Sequence, residues 1–246
     1  MQVLTGNDVM IGGFIIGGTQ SKTVVVRARG PSLAAFGIAN PLANPLLQLF
    51  SGATQVAAND NWREAANQAA LAASGFAPDN DFESAILATL APGAYTAIVT
   101  GTGGVTGVGI IEIFEVDLPQ VPLVNISTRG AVLTGENVMI GGFIIQGAGP
   151  QTVIVRARGP TLAAAGVPGV LANPLLQLFA GTVQIAVNDN WQDGPDAAVI
   201  QAAGFAPGHV LESAIRVTLN PGAYTAIVTG AGGATGVAIV EVFAVP

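Results

Sequence analysis

Residues Leu4 to Asp117 align with Leu133 to Pro246 at a constant offset of 129, with no insertion or deletion, and about 71 of the 114 pairs are identical. VLTGNDVMIGGFII returns as VLTGENVMIGGFII, VVVRARGPSLAA as VIVRARGPTLAA, and PGAYTAIVTG recurs unchanged at Pro92 and Pro221. A period this long is a whole domain, so the sequence predicts one fold in tandem. Repeat 1 is expected over residues 1–117, a Pro-bounded linker over 118–122, and repeat 2 over 123–246. The duplication also acts as a filter, because chemistry shared by both repeats must appear twice.

Each repeat reads as short strands between Gly, Pro and Asn turns. Val24 to Arg29 ends at Gly30-Pro31, and Leu46 to Phe50 with Gln55 to Ala58 reads as a hairpin around Ser51-Gly52. Ser84 to Leu90, Ala94 to Thr100 and Val108 to Val116 complete the set. Val, Ile, Thr, Tyr and Phe fill these runs, as half-buried pleated positions favour. The expected fold is all-β: two antiparallel, jelly-roll-like β-sandwiches. One short helical insertion is expected in each, over Arg63 to Ser74 before Gly75, and between Pro195 and Gly204. The repeats differ most there, as a solvent-facing lid tolerates.

Charge is scarce. Half of the residues are apolar and 9% are charged, with a single lysine, Lys22, and a net charge of −7. Soluble surfaces ordinarily carry roughly 25–35% charged residues, and Lys commonly defends exposed sheet edges. The composition therefore points to faces covered by neighbours, with self-association as the expected partnership. An acidic chain without a basic patch argues against nucleic acid. The apolar runs fall short of a membrane-spanning helix. Cysteine is absent, which leaves the redox compartment unread. No signal peptide is read at Met1, so the chain is expected to be a processed piece or to depend on export signals outside it.

The junction is asymmetric. Val121 to Gly130 alternates like a strand before repeat 2, whereas Met1 aligns with Gly130, so repeat 1 has no counterpart. One reading is an edge strand missing from repeat 1 and supplied by a neighbouring chain through β-augmentation. The other is a cut from a longer array, or a dispensable strand. The assembly candidates are Val9, Ile11, Phe14 and Ile16, their duplicates Val138, Ile140, Phe143 and Ile145, and Val124 and Ile126 within Val121 to Ser127.

The segments ANPLLQLFSGATQVAANDNW, ESAILATLAPGAYTAIVTG and VGIIEIFEV resemble the pre-peptidase C-terminal type of bacterial β-sandwich. In that family a PxLxLF strand precedes an Asn-Asp loop and a PGxYTxxV hairpin closes the domain. The resemblance covers nearly all of both repeats. It implies an extracellular or cell-surface, non-catalytic module found in tandem in secreted multi-domain proteins. No enzyme domain or anchor accompanies it here.

The strongest polar signature is Asn59-Asp60-Asn61-Trp62, repeated as Asn188-Asp189-Asn190-Trp191, with the only two tryptophans. Asn and Asp structure loops through Asx turns, so a loop anchored by a packed Trp is one reading. Calcium is another: Asp60 and Asn61 with Asp79, Asp81 and Glu83 supply the oxygen donors that Ca²⁺ takes. Repeat 2 keeps only Glu212 of the later cluster. A third reading is a glycan stacked on the Trp faces. Arg27 and Arg29, with Arg156 and Arg158, share a strand face and are expected to pair with Glu83 and Glu212 or Asp60 and Asp189.

Enzyme signatures fail the duplication filter. The only histidine, His209, aligns with Asn80, and no Cys is present. Zinc therefore lacks its usual ligands, and a serine nucleophile lacks an evident base. Gly101, Gly103, Gly104 and Gly107 precede a strand rather than a phosphate-binding helix. Asn125-Ile126-Ser127 matches a glycosylation acceptor but reads as strand sequence. The composite expectation is a non-catalytic extracellular structural protein assembling into an oligomer or filament, without a cofactor. A calcium- or carbohydrate-binding accessory module is the alternative.

Overall fold

The computed structural model describes residues 1–117 and 122–245. The chain folds as two compact units, Met1–Ile126 and Ser127–Pro246. The division falls four residues later than the sequence suggests. Of the expected linker, residues 118–121 lie outside the described residues, as does Val121 of the assembly candidates.

Unit 1 contains β1 (Gln2–Val3), β2 (Met10–Ile16), β3 (Lys22–Arg29), β4 (Pro45–Ser51) and β5 (Thr54–Asn59). It continues with α1 (Gln68–Ala73), β6 (Ser84–Leu90), β7 (Gly93–Gly101), β8 (Gly107–Val108) and β9 (Ile110–Glu115). The next strand, β10 (Leu123–Val132), contributes Leu123–Ile126 to unit 1 and its remainder to unit 2. Unit 2 adds β11 (Met139–Ile145), β12 (Gln151–Arg158), β13 (Pro174–Ala180), β14 (Val183–Asn188), α2 (Ala197–Ala202), β15 (Ser213–Leu219), β16 (Gly222–Gly230) and β17 (Gly236–Ala244).

Each unit is an antiparallel β-sandwich, as the residue pattern predicts. In unit 1 one sheet runs β2-β7-β4-β5, with β10 beside β2, and the other runs β6-β3-β9. In unit 2 the sheets are β11-β16-β13-β14 and β15-β12-β17, with β10 beside β17. Registers repeat across the duplication: Phe14 faces Tyr95 and Phe143 faces Tyr224 in antiparallel pairs. The hairpin around Ser51-Gly52 forms with a bulge between Leu49 and Phe50, and its duplicate bulges between Leu178 and Phe179.

The core of unit 1 lies between its sheets. Phe14, Ile16, Val24, Val26, Leu47, Leu49, Ala97 and Val99 are buried there by period-2 alternation. Val25 points the other way, beneath Trp62 and Leu71, with Ala85 beside them. The run Val24-Val25-Val26 is thus buried on both faces, which explains why it does not alternate in polarity. Unit 2 repeats the layer with Ile154, Trp191, Ile200 and Ala214.

The helical insertions are shorter than expected. A 3₁₀ turn over Trp62–Glu64 precedes α1, which spans only six residues and ends in a turn at Gly75, whose φ of 78° is left-handed. Pro195 precedes the Asp196 N-cap of α2 and does not occupy its first turn. Nor is the insertion only a lid facing water. Leu71 and Ile200 plug the outer face of a sheet while the remaining helix surface tolerates change.

Candidate functional site

The NDNW loop is held by its own backbone. The Asn59 amide donates to the Asn61 carbonyl at 3.0 Å and its oxygen accepts from Ala85 N at 2.9 Å. Trp62 N donates to the Glu83 carbonyl at 3.0 Å, and the Thr102 hydroxyl donates to Asp60 at 2.9 Å. Asn188, Trp191 and Glu212 repeat the first three bonds. This is the Asx-type anchoring expected of such a sequence.

The tryptophans are inside. Trp62 is 5% exposed and Trp191 6%, so their rings are not platforms for a sugar. The glycan reading needed exposed faces. Packing of each indole against the outer side of a sheet removes them. Arg63 covers the Trp62 ring at 4.4 Å and pairs with Asp81.

The calcium candidates go to separate tasks. Glu83 is buried and its Oε1 accepts from Gly30 N and Ser32 N, both at 3.0 Å, and from the Ser32 hydroxyl at 2.6 Å. Glu212 does the same for Gly159, Thr161 N and the Thr161 hydroxyl. These carboxylates cap the turn that follows the RARGP strand. They serve backbone donors that would otherwise be buried unpaired. Gly30 suits this crowded corner, because a Cβ there would meet the Leu42 carbonyl at 2.0 Å. Asp81 is engaged by Arg63, Asp60 by Thr102, and Asp79 is exposed. Asn61 bonds to Glu64 at 3.3 Å. Among the described residues no three His, Cys, Asp or Glu side chains come together as a metal site. In repeat 2 the imidazole of His209 accepts from Leu211 N at 3.2 Å within its own loop, while Asn190 bonds to Asp193.

The arginines find a partner that pattern reading missed. Arg27 faces Glu112 on the adjacent strand and bonds to it at 2.6 Å, stacks over Phe114, and donates to the Phe76 carbonyl. In repeat 2 both Arg156 and Arg158 converge on Glu241, at 3.1 and 2.7 Å. Burial lowers the pKa of Arg156, offset in part by Glu241. For Arg158 the bond and charge of Glu241 outweigh burial and raise it. Only Arg29 approaches one of the acids expected from the pattern, lying 3.9 Å from Glu83 and bonding to Ser32. Glu112 and Glu241 recur at the duplication offset, so cross-strand register was the available signal.

The assembly candidates divide by strand face. Phe14, Ile16, Phe143 and Ile145 are core residues, and Val9 is also buried. Val138 lines a cavity of about 210 Å³ with Leu133, Thr134 and glycine backbone. The outward residues differ between repeats. Ile11 and Ile15 are half-buried, whereas their duplicates Ile140 and Ile144 are 52% and 65% exposed. Val124 and Ile126 lie in β10, beside β2. The expected missing strand is therefore placed differently. Leu123–Ile126 belongs to unit 1, and it is β11 that ends its sheet among the described residues. At the opposite end of that sheet, β14 leaves Val183, Ile185 and Val187 exposed, none of which the pattern singled out.

No family model matches the chain, and no curated protein matches it. Among solved structures it is similar to the quasi-atomic model of the PBCV-1 virus capsid. That match has 9% identity and a TM-score of 0.23, over 99% of this chain and 91% of that one. It is also similar to PBCV-1 VP54 fitted into a reconstruction of the virophage Sputnik, with 8% identity, a TM-score of 0.22 and the same coverage. Likeness at that level says nothing of assembly or activity.

Proposed function

We propose that this chain is a non-catalytic structural protein whose tandem β-sandwiches assemble through sheet edges into an oligomer or filament. The observation that carries the reading is the edge strand Met139–Ile145. It contains no charge, ends its sheet, and exposes Ile140 and Ile144. Exposed apolar edges are templates for pairing, and folded monomers defend them with charge or proline. Here the strand at the opposite edge exposes apolar side chains as well. The scarce charges are committed inside each repeat: Glu83, Glu212, Glu112 and Glu241 hold loops and arginines rather than guarding edges.

The same commitments disfavour catalysis, since the duplicated polar groups serve turns and strand pairs. The resemblance to pre-peptidase C-terminal repeats adds an extracellular or cell-surface location. Sedimentation with negative-stain microscopy of the purified chain tests the reading. Concentration-dependent ordered oligomers or filaments are expected, and a dispersed monomer at every concentration overturns it.

A further inference from the structure

The two repeats carry an identical seven-residue strand, MIGGFII, at Met10–Ile16 and at Met139–Ile145. In repeat 1 that strand has a companion. β10 lies beside β2, with Leu123 and Ile126 packed against the core of unit 1 and Asn125 buried. Val124 comes so close to Gly17 that a Cβ there would meet its Cγ1 at 2.7 Å. A clasp fixes this return. Leu123 N donates to Glu115 at 2.6 Å, and Lys22 bridges Glu115 and the Asp117 carbonyl. At the equivalent positions repeat 2 has Gln151, Ala244 and Pro246, so the clasp chemistry is absent from its sequence.

Resting on the edge-assembly reading, we propose that β11 accepts, from a second polypeptide, an extended segment of the Leu123–Ile126 type. Repeat 1 supplies the template for the complex: the same edge sequence, covered by such a segment. Neither β11 nor the segment Val121–Thr128 bears a charged side chain, so pairing desolvates no ion. Main-chain bonds give affinity in such strand addition and side-chain pockets give selectivity. The selectivity here follows from one difference. Gln146 stands where repeat 1 has Gly17, so the guest must carry a small residue where Val124 sits.

The test adds two synthetic peptides to the full chain, the sequence of residues 121–128 and its Val124→Ala form, and follows amide hydrogen exchange. The Val124→Ala peptide is expected to protect residues 139–145 and to bind about tenfold more tightly than a scrambled control. The unaltered peptide should match it only on a Gln146→Gly chain. No protection at 139–145 by either peptide overturns the proposal, as does protection confined to 10–16. Equal binding of both peptides to the unaltered chain overturns the role given to Gln146. If the chain self-associates but neither peptide protects β11, edge assembly stands and this partner falls. If a peptide protects β11 on a chain that stays monomeric, the reverse holds.

Discussion

Val124 packs directly on the bare backbone of Gly17, where an added methyl would lie 2.7 Å from its Cγ1. Overfilling so tight a contact typically costs about 1–3 kcal/mol. Gly17→Ala is therefore expected to lower the stability of repeat 1 by that amount. It should also speed amide exchange in Leu123–Ile126, while exchange in β12 and β15 stays unchanged.

Glu83 and Glu212 each serve three donors from a buried position. Replacing either by Ala strands two backbone N–H groups and a hydroxyl, a loss on the order of 3 kcal/mol. Chemical denaturation of Glu83→Ala and Glu212→Ala should give matching losses, because the constellations coincide atom for atom.

Glu241 and Glu112 are predicted to differ although they occupy equivalent positions. Glu241 holds two arginines and is nearly buried, whereas Glu112 pairs with Arg27 alone and is more exposed. Glu241→Ala should cost about 3 kcal/mol, with two half-buried cations left facing each other. Glu112→Ala should cost about 1 kcal/mol. Thermal melts of the two variants check the order.

Asp117 gives the acid limb of stability a specific contributor. Burial alone raises its pKa, but bonds from the Thr23 hydroxyl and backbone N–H, with the Lys22 charge, outweigh it and hold the carboxyl below its ordinary value. A depressed folded pKa stabilises above the unfolded value near ~3.9, and that stabilisation disappears as pH falls through the lower folded value. Stability measured from pH 7 to pH 2 should therefore decline less in Asp117→Asn than in the unaltered chain. The difference should be modest, since solvent reaches the group and screens its partners.

Much of the fold was legible because the duplication states each strand twice. The turns at Ser51-Gly52, Pro92-Gly93 and Gly101 to Gly104 sit where Gly and Pro put them. The buried tryptophans were less legible, since Asn-Asp loops precede packed and ligand-stacking aromatics alike. What decides is Val25 facing outward beneath Trp62, a layer visible only after the sheet is assembled. The Arg27–Glu112 pair needed strand register, which residue spacing does not fix across 85 residues. The ownership of Leu123–Ile126 escaped because alternation identifies a strand but not its neighbour.

The most direct test is sedimentation velocity on three chains: unaltered, Ile140→Lys with Ile144→Lys, and a Phe36→Lys control at an exposed position away from the edge. Edge assembly predicts concentration-dependent association of the unaltered and control chains, and its loss when lysines stand on β11. Association that persists in the double variant, or an unaltered chain that never leaves the monomer, contradicts it.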